Sequence, residues 1–249
     1  MITITKFMPL LLLSTAFTTL FAATSIDEEA LEFPLNPSSI ERGNTHVAVR
    51  LLEPSELANS YPTFKSVDYS NLSGASDIKL ITAKYAFYVN KPITSFSKEK
   101  IFNAKMFESI AKNTVINSSF PISEQTLTCT ITKTVTLFNI HLTVDYSYYT
   151  QSELPLLPFY SDLTKIFPLT TPQIVTIQKA YDFDKFLQDS LNVCGFWSAG
   201  ANQSGTIINC HTISSLTKSS YRGLYFFTNF EESLKNEILY SINVIQTLP

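Results

Sequence analysis

The run from Thr126 to Tyr149 does most to limit what this chain can become. Leu127, Cys129, Ile131, Lys133, Val135 and Leu137 alternate there with six threonines, Thr126 to Thr136. A period of two places alternate side chains on opposite faces of an extended strand. Thr, Val, Ile and Tyr all favour that conformation. After Leu137 the phase reverses, and Phe138, Ile140, Leu142, Val144, Tyr146 and Tyr148 become the apolar set. A one-residue slip moves every side chain to the other face, so Leu137–Phe138 predicts a bulge or a tight bend between two strands.

Other segments extend the pattern. Val47, Val49 and Leu51 alternate with polar or small residues and predict a first strand, and Ile81, Ala83, Tyr85, Phe87 and Val89 a second, stopped at Asn90 and Pro92. Ser97 predicts the N-cap of a helix with Phe102, Met106 and Ile110 on one stripe, ending near Asn113. Residues 151–172 hold Pro155, Pro158, Pro168 and Pro172, and predict a long apolar loop without regular structure. Ile174–Ile177 reads as a short strand. Asp182 would cap a helix with the stripe Phe183, Phe186, Leu187 and Leu191, closed by Gly195. Residues 206–217 and 221–228 read as strands. Thr228 and Glu231 have the spacing of a capping box, followed by the stripe Phe230, Leu234, Ile238, Ile242 and Ile245.

No period of 20–50 residues repeats, and strands do not alternate strictly with helices. The sequence therefore predicts an α+β protein: a mainly antiparallel sheet with about three helices, the long C-terminal one packed on the sheet. In element order alone this resembles helix-grip ligand-binding folds.

The first residues predict export. Lys6 precedes an apolar run, Phe7 to Phe21, and the small residues Ala22, Ala23, Thr24 and Ser25 follow. These are the parts of a secretory signal peptide, with cleavage between Ala22 and Ile26. The run is shorter than the ~20 residues of a spanning helix. Later segments hold no long apolar run, so no transmembrane segment is expected in the mature chain, which would be periplasmic or extracellular. The division predicted is a signal peptide at 1–25, an irregular acidic leader at 26–44 and one α+β domain at 45–249. The net charge of −3 and only three arginines argue against a nucleic-acid partner.

An exported chain meets an oxidising environment. Cys194 and Cys210 lie 16 residues apart and flank Gly195, Gly200 and Gly205, so a turn between them predicts a disulfide. Closing that loop removes about 3 kcal/mol of freedom from the unfolded chain. Cys129 falls on the apolar face of its strand and is expected to be a buried free thiol.

Catalytic signatures are incomplete. Gly195-Phe-Trp-Ser198-Ala-Gly200 is one residue too long for a nucleophile elbow, and Gln203-Ser204-Gly205 lacks the first glycine. Ser95-x-x-Lys98 and Ser215-x-x-Lys218 lack the downstream Lys-Thr-Gly of serine acyl transferases. His46, His141 and His211 sit in no metal-ligand spacing. Asp182-x-Asp184 reads as a helix cap. No catalytic residue, metal or cofactor is assigned.

Aromatic residues make up 13% of the chain and cluster in Tyr85–Tyr88, Tyr146–Tyr149, Phe159–Tyr160 and 221–230. Where aromatics point to both faces of a strand, one face is core and the other needs a lid, ligand or partner. The reading is an exported binding protein for a small apolar or aromatic-stacking ligand, lined by Tyr146, Tyr148, Phe159 and Tyr160 beneath a lid at 151–172. The alternatives are a secreted protein that engages a protein partner, and a hydrolase with an unmotified site.

Overall fold

The computed structural model describes residues 45–52, 78–135, 138–184, 187–199, 204–217 and 230–247. Eight strands form one antiparallel sheet: β1 (Thr45–Leu52), β2 (Ile78–Val89), β3 (Thr114–Pro121), β4 (Thr126–Val135), β5 (Phe138–Thr150), β6 (Ile174–Tyr181), β7 (Leu187–Ser198) and β8 (Thr206–Thr217). Their order is β1-β2-β8-β7-β6-β5-β4-β3. β3 to β8 form a meander, and β8 returns to pair with β2. Between β2 and β3 the chain makes a 3-10 turn (Ile93–Phe96) and the short helices α1 (Lys98–Ile101) and α2 (Ala104–Ile110). Helix α3 (Tyr160–Ile166) follows β5, and α4 (Phe230–Thr247) packs on β1, β2 and α2.

Residues paired directly across a ladder share a face. Val47, Tyr85, Cys210, Cys194 and Tyr148 thus lie on one face, with Thr176 in the same row. That inner face forms a core with Phe96, Ile101 and Phe107 and with Ile238 and Ile242 of α4. Each buried side chain of this size is worth about 1.5–3 kcal/mol relative to exposure. The α4 stripe read from the sequence is the stripe that is buried: Leu234, Ile238, Ile242 and Ile245 all meet this core. Polar contacts fix the helix along its length. Glu231 accepts the Leu51 N–H, Lys133 of β4 pairs with Glu237 at 2.5 Å, and Gln246 donates to the Tyr88 carbonyl.

The outer face divides in two. Over β6, β7 and β8 it is apolar and covered: Leu154, Leu163, Ile166 and Phe167 pack on Val175, Ile177, Leu191, Val193, Trp197 and Ile213. Over β3, β4 and β5 it is hydroxylated. Thr126, Thr128 and Thr132 bond across to Ser147, Asp145 and His141, and Thr130 to Ser118 of β3. The threonine alternation in the sequence is this outward face.

Several expectations are corrected. The helix predicted from Asp182 to Gly195 is absent. Asp182 sits in a turn with φ 54°, and β7 begins at Leu187. Leu191, Val193 and Trp197 face outward and Cys194 and Phe196 inward, so β7 is buried on both sides and shows no alternation. Gly195 ends nothing. A Cβ there would strike the Trp197 ring and Pro172, so its lack of a side chain lets the indole lie across the strand. The 151–172 segment is partly regular, holding a 3-10 turn at Leu154–Leu156 and α3. The helix expected after Ser97 is broken at Phe102–Asn103, where Phe102 leaves helical geometry. β3 was not anticipated. The phase reversal at Leu137–Phe138 separates two strands as expected: β4 and β5 pair antiparallel, with Val135 opposite Phe138. The proposed leader, the strand at 221–228 and Thr228 lie outside the described residues.

The disulfide forms as expected, joining Cys194 and Cys210 across paired positions of β7 and β8, and Cys129 is a buried free cysteine whose thiol burial pushes up to about 11.

Two outcomes follow from this packing. Leu163 is 2% exposed and Leu156 is 83% exposed. Leu163→Ala should cost about 2–5 kcal/mol in urea unfolding, and Leu156→Ala should stay within about 0.5 kcal/mol. Equal effects would refute the packing of α3 on the sheet. His211 lies against Phe167 on the outer face, where burial, helped by the Lys84 charge, lowers its pKa from 6.5 to about 3. Below pH 6.5 the unfolded chain takes up a proton that the folded chain refuses. Stability should therefore fall as the pH is lowered from 6.5 toward about 3, and His211→Gln should flatten that slope. An unchanged slope in the variant would contradict the burial of this imidazole.

Candidate functional site

A cleft of about 340 Å³ opens at one end of β4 and β5, lined by Ser97, Lys98, Glu99, Gln125, Tyr148, Thr150 and Glu153. Three pieces of chain build it. Ser97 to Glu99 come from the start of α1, which crosses the inner face after β2. Gln125 ends the β3–β4 turn, and its carbonyl accepts the Tyr148 N–H at 2.9 Å. Tyr148, Thr150 and Glu153 come from the end of β5 and the turn after it.

Glu153 is the best-anchored group. Its Oε2 accepts the Thr150 N–H at 2.6 Å and the Thr150 hydroxyl at 2.7 Å. These two bonds, with smaller help from Gln125 and the Lys98 charge, hold its carboxyl below the usual glutamate range. Glu99 is held low in the same way, by a backbone N–H first and the Ser97 hydroxyl second. Both are therefore carboxylates at neutral pH. Thr150-Gln-Ser-Glu153 has the spacing of a capping box, with the glutamate reaching back to the threonine N–H.

Tyr148 forms the floor. It is only 6% exposed, and its ring meets the edge of Phe102 with centroids 6.4 Å apart. Burial, then the charges of Glu99 and Glu153, raise its pKa, so the phenol keeps its proton. The ring belongs at the same time to the inner aromatic core, where Phe96 meets Phe196 and Phe107 stacks on Tyr146. The cleft is thus a polar opening onto an aromatic interior.

The four residues expected to line one pocket are divided by the sheet. Tyr146 and Tyr148 lie on the inner face. Tyr146 is stacked against Phe107 with centroids 3.8 Å apart, and only Tyr148 reaches the cleft. Phe159 and Tyr160 pack against the outer core, Phe159 edge-on to Tyr149. The 151–172 segment carries them because Tyr149 faces outward and the chain leaves β5 on that side. It covers the outer face of the sheet and does not span a gap above Tyr146 and Tyr148. Sequence reading missed Glu99, Gln125 and Glu153 and met Lys98 only in an incomplete Ser-x-x-Lys motif, although the Thr150–Glu153 spacing was a usable signal.

No family model matches the chain, and no curated protein matches it. Among solved structures, it is similar to a STAR-related lipid transfer protein from Xanthomonas axonopodis, with 7% identity and a TM-score of 0.46 over 70% of this chain and 93% of that one. It is also similar to the Zhui aromatase/cyclase of Streptomyces sp. R1128, with 8% identity and a TM-score of 0.42 over 67% and 92% of the two chains. A truncated norcoclaurine synthase from Thalictrum flavum gives 9% identity and a TM-score of 0.43 over 70% and 96%.

Proposed function

We propose that this chain is an exported binding protein that holds a small amphipathic ligand in the cleft over Tyr148. The carrying observation is that one residue belongs to both environments. Tyr148 floors the polar cleft and is part of the aromatic inner core. A ligand there can set an apolar face on the ring and a polar group among Lys98, Gln125 and Glu153. The volume lies at the low end of the ~300–1,000 Å³ usual for ligand pockets, which favours a small molecule.

Binding is favoured over proton-transfer catalysis by the state of the ionisable groups. A general acid or base works best with a pKa near the operating pH. Glu99 and Glu153 are held below their ordinary range and Tyr148 above its own, which moves all three away from neutrality. Export is supported by the N-terminal sequence pattern and by the Cys194–Cys210 bridge, which suits an oxidising compartment. Among the described residues, no helix is long and apolar enough to cross a membrane.

One observation favours a second reading, a protein partner. Val115, Phe120 and Ile122 are 57%, 49% and 57% exposed along β3 and the turn after it, on the edge of the sheet.

Native mass spectrometry of the purified protein tests the first reading. A retained small molecule should leave in Tyr148→Leu, which keeps an apolar side chain and removes the ring and hydroxyl. Retention by that variant, with loss on substituting Val115 and Phe120 by Ser, would move the site to the sheet edge. Intact mass of exported material should show a chain beginning between Ala23 and Ile26. A chain that keeps Met1 to Phe21 would end the export proposal.

A further inference from the structure

The charges around the cleft bear on the charge of its occupant. Lys98, Glu99 and Glu153 are the ionic side chains that line it. Both glutamates are ionised, each stabilised by hydrogen bonds from its own surroundings. One ammonium faces two carboxylates, and the balance is negative. The two carboxylates lie close enough to Tyr148 to act on its phenol.

Tyr148 supplies an independent observation. The side chain is 6% exposed and lines the cleft, yet its hydroxyl has no hydrogen-bond partner among the described residues. Half-buried hydroxyls elsewhere on the inner face are paired within the protein: Tyr85 donates to Asn192 at 3.2 Å, and Thr212 to the same oxygen at 2.9 Å. The Tyr148 oxygen is not among the water-excluded unpaired atoms, so it opens onto the cleft, where an occupant can pair with it. That occupant must tolerate two carboxylates and the electron-rich face of a phenol ring. An anion is repelled by both. A cation is attracted by both, since ring faces bind ammonium groups when water is displaced.

We propose that the cleft takes the primary ammonium group of an amphipathic amine, its nitrogen set between the Tyr148 phenol oxygen and the Glu99 and Glu153 carboxylates. The three N–H donors of such a group match the acceptors present, and its apolar body lies on the Tyr148 ring. This inference rests on the cleft being the binding site.

Three probes of similar size and different charge test it on the full chain by isothermal titration calorimetry at neutral pH: 2-phenylethylamine, 2-phenylethanol and 3-phenylpropionate. The amine should bind more tightly than the alcohol, and about tenfold or more above the carboxylate. Added salt should narrow the gap. Glu99→Gln, on an exposed side chain, should reduce the advantage of the amine over the alcohol, and Glu99→Gln with Glu153→Gln should remove it. The affinity for the alcohol should barely change. Lys98→Met should tighten the amine further. Equal or stronger binding of 3-phenylpropionate, or an amine preference that survives both glutamine substitutions, would overturn the charge assignment and leave the cleft as a binding site. Binding of none of the three probes by the folded protein would overturn this inference and the binding reading together.

Discussion

An open antiparallel sheet with one apolar face must have that face covered, and here α4 covers it. The inner face carries Val47, Phe87, Cys194, Phe196 and Ile208, which find their partners in Ile238, Ile242 and the short helices after β2. Without α4 this surface would be too large to leave in water. The helix also sets the curvature. Glu231 holds it to β1 at one side of the sheet, while Lys133 reaches from β4, next to the far edge, to Glu237. One helix can touch both only if the sheet wraps around it, and the wrapping brings the ends of β4 and β5 against α1 to form the cleft.

The same closure leaves two edge strands, β1 and β3, each with a row of backbone groups that could pair with another chain. A helix glutamate occupies a donor on each: Glu231 takes the Leu51 N–H, and Glu108 of α2 takes the Ile116 N–H at 2.9 Å. β3 also shifts register between Ile116 and Ser118, which breaks the regular edge. The protection is unequal, because β3 still presents Val115 and Phe120 on its outer side.

Much of the sheet was legible because half of it shows alternation. β1, β4 and β5 have one face in the core and the other less buried or hydroxylated, so a period of two appears in the sequence; β2 shows it through Thr82 and Lys84, although Ala86 and Tyr88 are buried on its other face as well. The threonines of β4 are the clearest case. β7 has no polar face. Leu191, Val193 and Trp197 meet the outer core while Cys194 and Phe196 meet the inner one, and Phe183, Leu187 and Leu191 fall by coincidence at helical spacing. Periodicity cannot tell a doubly buried strand from a buried helix. The proline-rich segment misled for another reason. Pro155 falls at the start of a 3-10 turn, where no N–H is needed, and Pro168 follows the end of α3. Both punctuate short helices and break none. The cleft was hidden because Lys98, Gln125 and Glu153 are joined only through the sheet. Tyr148 alone of the four expected residues belongs to it, because the strand parity that sends Tyr148 inward sends Tyr149, and the segment after it, outward.

Tyr148 also marks where the packed inner core gives way to the cleft. A leucine or phenylalanine would fill the same inner position against Phe102 without a hydroxyl left unpartnered. Thr150 and Gln125 spend their hydrogen bonds on fixing Glu153 and leave the phenol open. Burial first, and then the carboxylates around it, raises the pKa of the phenol. Elsewhere on the inner face Tyr85 sits in the same sheet row as Tyr148, and there the hydroxyl is satisfied by Asn192. Two tyrosines of one row, one paired and one open to the cleft, differ in what lies above them, and the binding role proposed for Tyr148 rests on that difference.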